Sequence, residues 1–376
     1  MITIKEAITK RDLKKFVDFP VALYKDCPYF VPPLRMDELK LTNPKKNPSS
    51  PYCRTKYYLA YRDGKIVGRV SAIINGLDEE KTGLKRVRFC RIDFVEDREV
   101  ARALMNAVED FARAEGRAVV HGPIGYHDLD REGLLIEGFD RLSTFETQYS
   151  YPYYRTYLEE LGYEKDADAE EATYAIPKKY DDRIDRIAGK IIRKYGLRIL
   201  DMPKRRMIKQ YGEKVFHLFD RCYSHLYGTV PLRDEVIRDV LASFGLVARL
   251  ELISVVTDKD DNVIAAALVL PSIAEAVRKS RGRLTPLGII RIMRAVRRPK
   301  VVDCALIGVA PEYQNRGVNA VVLDRVIKGA VKLKVETAES NLMLVTNQKI
   351  RGEFSFTNGT VTRRRRFYKK EVGSKN

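Results

Sequence analysis

Tryptophan is absent from the 376 residues, and cysteine and histidine are scarce, at five and four. Cys27, Cys53, Cys90, Cys222 and Cys304 lie far apart with no CxxC pair, which excludes a disulfide scaffold and fits free thiols in a reducing compartment. His217 and His225 stand two turns apart on a predicted helix, but no further ligands accompany them, so no metal site is expected. Long apolar runs are missing too. The longest, Val263 to Leu270, falls far short of the roughly 20 residues that span a bilayer. The opening MITIKEAITKRDLKKF has no apolar core after its charges and reads as no secretory signal. GxSxG, HExxH, GxxxxGK[ST] and GxGxxG do not occur, which leaves hydrolase, zincin, P-loop and dinucleotide readings without support. A cytoplasmic protein is expected, with peripheral contact at the inner membrane face as a further option.

What the chain does have is enough apolar residue for real cores, 45%, and enough length for two domains, placed at 1–180 and 181–376. Its charge is unevenly shared. Residues 1–180 hold equal numbers of basic and acidic side chains, so the whole formal charge of +18 falls in 181–376. Such asymmetry points to an anionic partner of the second half: cofactor phosphates, nucleic acid or anionic lipid. A solvated basic surface is the plainer account, and coenzyme A alone does not require so large an excess.

The same order of elements is predicted twice. In the first half, strands at Tyr57–Tyr61 and Ile66–Ile74 flank the turn Arg62–Lys65. A strand follows at Arg88–Phe94, then a helix at Arg98–Glu115 closed by Gly116, a strand at Ala118–His121 and a short helix at Tyr153–Leu161. In the second, Glu251–Thr257 and Val263–Leu270 form a hairpin around Asp258–Asn262. Then come a strand at Val301–Val309, a helix at Gly317–Val331, a strand at Leu342–Val345, a short helix at Gln348–Phe354 and a basic, aromatic strand at Arg364–Val372. Ile176–Tyr195 is the expected junction. The repeat is one of architecture, with little identity of residues.

The sharpest local pattern is IGVAPEYQNRGVNA, residues 307–320. An apolar strand enters a proline-containing turn and passes straight into a helix. Gly317 lets the backbone approach a ligand, and the unpaired N–H groups of the first helical turn suit a pyrophosphate, with Arg316 adding charge. An ordinary strand–turn–helix with a packing glycine explains the local pattern equally well.

Val309 to Gly317 resembles the V-x-P-x-x-[QR]-x-x-G-x-[GA] cofactor signature of the GNAT acyltransferase superfamily, with Asn319 standing where glycine or alanine is usual. Ala338-Glu339-Ser340 and Asn347 resemble that superfamily's next strand and the asparagine after it, and Arg366-Phe367-Tyr368-Lys369 its closing strand. The resemblance implies an α/β (α+β) fold of two GNAT-like halves, each a mixed, mostly antiparallel sheet flanked by helices. It also implies acetyl-CoA or a longer acyl-CoA as co-substrate, held by Val309, Gln314, Asn315, Arg316, Gly317, Val318, Asn319, Ala320 and Asn347. In the first half, FVEDRE at residues 94–99 occupies the loop position without Q-x-x-G, and its acids would repel phosphate, so that half is expected to have no cofactor site. The segments YKDCPYFVPPL (24–34), Gly122-Pro123, Gly133 to Asp140 and Tyr149 to Tyr154 resemble bacterial tandem-GNAT proteins, some of them similar to ceramide synthases that would acylate a long-chain amine.

Such chemistry asks for a backbone N–H near Val309 to stabilise the oxyanion, a base for the amine and an acid for the leaving thiolate. Glu339 is the first candidate base, ahead of Asp303 and Glu312. Tyr368 is the candidate acid, with Tyr313 beside it. The loop His127-Asp128-Leu129-Asp130, between Gly125 and Gly133 and next to Tyr126, is a candidate contact for the acceptor amine; a solvated loop is the alternative. Residues 271–300 carry nine Lys/Arg against Glu275 alone. There Leu287, Ile290, Met293 and Val296 recur at helical spacing, with Arg291, Arg294 and Arg298 opposite, a pattern that suits an anionic membrane surface or a core-packed helix with a basic outer face. The reading is an acyl-CoA-dependent N-acyltransferase working by direct attack of an amine. A nucleic-acid-dependent transferase or regulator, and an inactive GNAT-like binding protein, are the alternatives; nucleic acid lacks a recognisable binding motif.

Overall fold

The computed structural model describes residues 1–347 and 359–373. Its first half runs β1 (Ile2–Glu6), α1 (Lys10–Leu23), α2 (Arg35–Leu41), β2 (Cys53–Arg62), β3 (Lys65–Asn75), α3 (Gly76–Thr82), β4 (Arg86–Phe94), α4 (Arg98–Ala114), β5 (Val119–Gly122), β6 (Leu134–Glu137), α5 (Tyr153–Glu160) and β7 (Glu164–Ala175). The second runs α6 (Asp182–Tyr195), β8 (Arg198–Ile199), α7 (Lys204–Tyr223), α8 (Asp234–Val247), β9 (Ile253–Thr257), β10 (Val263–Pro271), α9 (Ala274–Lys279), α10 (Pro286–Arg297), β11 (Val301–Val309), α11 (Val318–Lys332), β12 (Thr337–Ser340), β13 (Met343–Leu344) and β14 (Thr360–Glu371). The helix expected at Gln348–Phe354 lies outside the described residues. Among the described residues no helix is long and apolar enough to cross a membrane.

The strands join one sheet in the order β1-β2-β3-β4-β5-β14-β7-β12-β11-β10-β9-β8. The two halves repeat the same course outward from its centre, each with one parallel pair, β4 with β5 and β11 with β12. The expected two-fold, mostly antiparallel architecture is therefore what the chain builds. The closing strands are exchanged: β14, from the end of the chain, pairs with β5, and β7 pairs with β12.

At the seam β7 and β14 pair antiparallel, and their sequences explain why. EKDADAEEATYA lies against TVTRRRRFYKKE, with Arg366 opposite Asp168 and Arg364 opposite Glu170. Inside the sheet Glu171 accepts from Arg363 Nε at 2.5 Å and from Arg365 Nε, all three side chains being almost wholly buried. Opposite charge across a strand pair, fully hydrogen-bonded, fixes the register where apolar patterning does not.

Each half has its own core. In the first, Leu104, Val108 and Phe111 of α4 pack on Val70, Ala72 and Phe89. In the second, Val318, Val321, Val322 and Val326 of α11 meet Ala265, Ala267 and Val269 of β10 with Phe216 and Phe219 of α7.

Candidate functional site

Strand β11 stays bonded to β10 along its length, but it pairs with β12 only from Val301–Thr337 to Cys304–Ser340. Beyond Cys304 the two parallel strands part, and a cavity of about 220 Å³ fills the wedge between them. The strand expected at Ala338-Glu339-Ser340 is the one beside β11, and the strand expected at Leu342–Val345 is shorter and lies off it. Thr337–Ser340 is the strand that pairs with β11, and Met343–Leu344 turns away to pair with β7. Two polar side chains of Thr-Ala-Glu-Ser are tied to the seam: Glu339 accepts from Arg363, and Ser340 Oγ accepts from Ala172 N at 2.8 Å.

The loop above the wedge follows from its sequence. Pro311–Tyr313 makes a single 3-10 turn, Asn315 and Gly317 take left-handed φ values of 59° and 77°, and α11 starts at Val318. Gln314 Nε2 donates to the carbonyl of Val309 at 3.1 Å, which ties the loop to the strand end. Among the described residues no side chain caps α11, so its first N–H groups stay available to an anion. Arg316 is exposed and lies over the rings of Tyr195 and Tyr313. A Cβ on Gly317 would come within 3.0 Å of Ile191 Cδ1 on α6. These donors and this bare backbone suit a pyrophosphate. Val309, Gln314, Asn315, Arg316, Gly317, Val318, Asn319 and Ala320 thus run together from the end of β11 into the first turn of α11; they are not among the residues that line the cavity, whereas Asn347 is.

The cavity has two unlike walls. Leu323, Val326, Ile327 and Ala330 of α11, with Tyr174, Ile176 and Ala338, form an apolar wall. Facing the cavity from the first half are Asp128, Asp130, Glu132 and Glu146. Buried arginines hold that acidic loop in place. Arg88 donates to the carbonyls of Gly125 and Gly228, Arg91 to Asp130 at 3.0 Å and Glu38 at 2.9 Å, and Arg131 to the carbonyl of Val31 at 2.9 Å.

Burial sets the protonation of this wall. It pushes Asp128 up to about 6, helped by Asp220, and Glu146 up to about 7, with Arg131 opposing. Glu132 rises well above the ordinary carboxylate range through burial and the nearby Asp128. Burial and then Glu339 raise Asp303 likewise, and among the described residues its Oδ1 has no hydrogen-bond partner. Burial would raise Asp130 too, but Arg91 and His127 bring it below its ordinary value. Carboxylates titrating near neutrality can accept a proton from an amine. Tyr223 of α7 reaches the open edge of β11, donating to the carbonyl of Ile307 at 2.5 Å while its oxygen accepts from that residue's N–H at 3.1 Å.

Neither residue first considered for acid–base work lines this cavity. Glu339 lies within β12 and accepts from Arg363 Nη2 at 2.6 Å. Tyr368 is buried in the first half's core with its hydroxyl donating to Glu159 at 3.1 Å. Glu312 pairs with Arg221 on the surface. The glycine-flanked loop around Asp128 was legible as a candidate; Glu146 and Tyr223 carried no motif, and only the fold brings them to the wedge.

No family model matches the chain. Protein YghO of Escherichia coli (strain K12) is 25% identical over 378 residues, which cover 98% of this chain and 95% of that protein. Bacterial ceramide synthase of Caulobacter vibrioides (strain NA1000 / CB15N) is 28% identical over 314 residues, 81% of this chain and 80% of that one. A solved tandem GNAT protein from the clavulanic acid biosynthesis pathway superposes with a TM-score of 0.58 at 10% identity, covering all of both chains. The fold is the tandem GNAT fold.

Proposed function

We propose that this tandem GNAT fold is an acyl-CoA-dependent N-acyltransferase, with one acyl-CoA site per chain, in the second half. The observation that carries the reading is the wedge between β11 and β12, apolar on the α11 side and lined by carboxylates of the first half on the other. Acyl-CoA enters as a substrate that supplies an activated thioester. Its diphosphate would meet the N–H groups of residues 315–320 and Arg316, and its acyl group the apolar wall. The cavity's 220 Å³, against about 30 Å³ per molecule in liquid water, leaves room for more than acetyl.

On the facing wall Glu146, with Asp128 as the second carboxylate, takes the proton of an amine that attacks the thioester directly. Tyr223 would give the leaving thiolate the one proton that it donates to the Ile307 carbonyl in the free chain. Glu339 and Tyr368 then act as positioning groups, the first holding Arg363 at the seam and the second anchoring β14. The likeness to a ceramide synthase supports a long-chain amine as acceptor.

The test is calorimetry with acetyl-CoA and a long-chain acyl-CoA, followed by turnover with short and long primary amines. Activity should rise with pH through a limb near 6 to 7, as the raised Asp128 and Glu146 lose their protons. Glu146→Gln should lower kcat by about 10²-fold or more and remove part of that limb. Absence of any acyl-CoA binding by the folded chain would defeat the assignment.

A further inference from the structure

Helix α10 is capped by Thr285, whose Oγ1 accepts from Gly288 N at 3.1 Å, and begins on Pro286, both strong start signals. Its apolar residues divide in a way their spacing alone does not show. Ile292 and Val296 pack against the buried cluster of Val31, Ile273, Ala274 and Val277. The rest stay in solvent: Leu287 is 55% exposed, Ile290 60% and Met293 45%, with Ile289 and Leu284 also exposed. Arginines are interleaved with them. Arg294 and Arg297 share the outer arc of the helix, Arg298 follows its end, and Arg281 and Arg283 are exposed on the turn before it. None of these five has a carboxylate partner among the described residues, whereas Arg278 and Lys279 are paired with Glu275 and Lys300 with Glu336. The one face thus combines protruding aliphatic side chains with unneutralised guanidinium groups.

We infer that α10 and the turn before it dock on an anionic phospholipid surface, with Leu287, Ile289, Ile290 and Met293 entering the headgroup–acyl boundary and the arginines at the lipid phosphates. Charge complementarity selects the partner. Arginine stems lie along apolar surface while their heads reach phosphate, so mixing the two residue types on one arc suits a bilayer interface. Nucleic acid would engage the arginines and leave the aliphatic side chains without a purpose. On its inner side the helix packs on the small core that Phe145 also joins, and Phe145 is the chain neighbour of Glu146 in the cavity wall.

The experiment uses the full chain with vesicles of phosphatidylcholine alone and of phosphatidylcholine and phosphatidylglycerol in equal parts. Sedimentation should show binding at least about tenfold stronger to the anionic vesicles, weakening as salt rises, since each arginine near such a surface contributes about fivefold. Replacing Leu287, Ile290 and Met293 together by Ser should reduce binding about tenfold with no change in thermal midpoint, because these side chains are exposed. Reversing Arg294, Arg297 and Arg298 to Glu should abolish it. The chain has no tryptophan, so Ile290→Trp gives a unique reporter whose emission should shift to the blue on anionic vesicles only. Equal binding to both vesicle types, an unshifted Ile290→Trp emission, or stronger binding to duplex DNA or tRNA that survives the triple Ser change would each overturn the proposal.

Discussion

The two halves place a strand, a turn and a long helix in the same order, yet only one leaves the junction open. In the first half Asp97 caps α4 with its own carboxylate, accepting from Glu99 N at 2.9 Å and Val100 N at 3.4 Å, and pairs with Arg62 at 2.5 Å. The helix end is already occupied by an anion. The strand edge is occupied as well. Phe94 N donates to Tyr154 Oη at 2.8 Å, the Phe94 carbonyl accepts from Tyr153 at 2.7 Å, and Gln148 reaches the carbonyl of Ile92. At Gly122 a Cβ would collide with the Phe89 carbonyl, so the two parallel strands close where β11 and β12 part. In the second half Gly317 replaces the capping acid, and the wedge is a cavity. One architecture thus gives a sealed strand edge or an open cavity according to a handful of side chains around a helix start.

The largest effect is expected at the seam where the halves exchange strands. Arg365→Met leaves Glu171 buried with one guanidinium in place of two. Loss of about 3–5 kcal/mol in chemical unfolding is expected. Probes in both halves should lose structure together, because β7 and β14 belong to both. Unchanged stability would make the halves independent and the exchange incidental.

That seam also marks how far the sequence could be read. The hairpins β2–β3 and β9–β10, the helices α4 and α11, and the loop at Gly317 all show apolar periodicity or turn chemistry, and they were visible. Strand β7 was not. EKDADAEEATYA has the composition of a solvated segment, and only the row of arginines in β14, nearly two hundred residues later, makes it a central strand. The site divides the same way. The loop proposed to hold phosphate is local in sequence, whereas Glu146, Asp128 and Tyr223 line one cavity from distant parts of the chain that no short window contains. The α10 arginines were legible, but the exposure of Leu287 and Ile290 beside them depends on which face packs on Val31, Ile273 and Val277.

A smaller change sharpens the contrast at the helix starts. Gly317→Val adds a branched side chain at φ 77° against Ile191, and acyl-CoA affinity should fall about 100-fold, near 2.7 kcal/mol, with the fold retained. Opening the first half by Asp97→Gly should create no second site, because the tyrosines still fill the strand edge. Calorimetry should return one site per chain in both the wild type and Asp97→Gly. Two equivalent sites would end the distinction.

Next come the two tyrosines that touch the matching strand edges. Tyr154→Phe leaves Phe94 N and Tyr24 Oη without their buried partner, and about 1–2 kcal/mol of stability should be lost with acyl-CoA binding unchanged. Tyr223→Phe should also lose some stability, about 0.5–1.5 kcal/mol for each hydrogen bond to Ile307, but should in addition lower kcat by about tenfold. If both variants change only stability, the β11 edge is as inert as the β4 edge.

The smallest expected effect is a difference in sign between two carboxylates. Glu146, on the open wedge, keeps its proton up to about pH 7, while the unfolded chain releases it near 4.5. Below 4.5 both states are protonated and the group contributes nothing. From 4.5 to 7 the folded state binds more protons, so stability falls as pH rises, and above 7 the penalty is constant. The full shift corresponds to about 3 kcal/mol, and partial exposure to solvent reduces this to about 1–2 kcal/mol. Glu146→Gln should therefore be more stable than the wild type at pH 8 and equal to it at pH 4. Asp97, on the sealed site, behaves oppositely. Burial would raise it, but Arg62 and the N–H groups of Glu99 and Val100 bring it below its ordinary value. Its ionised form stabilises the fold above its unfolded value, and that contribution is lost as pH falls through the folded one. Asp97→Asn keeps the cap and loses the charge, so it should cost about 0.5–1 kcal/mol at pH 7 and converge with the wild type in acid. Thermal midpoints of both variants at pH 4 and pH 8 measure the two slopes. A shared sign would mean that the acidic wall of the wedge is paired and quiescent, like the sealed loop, and holds no base in waiting.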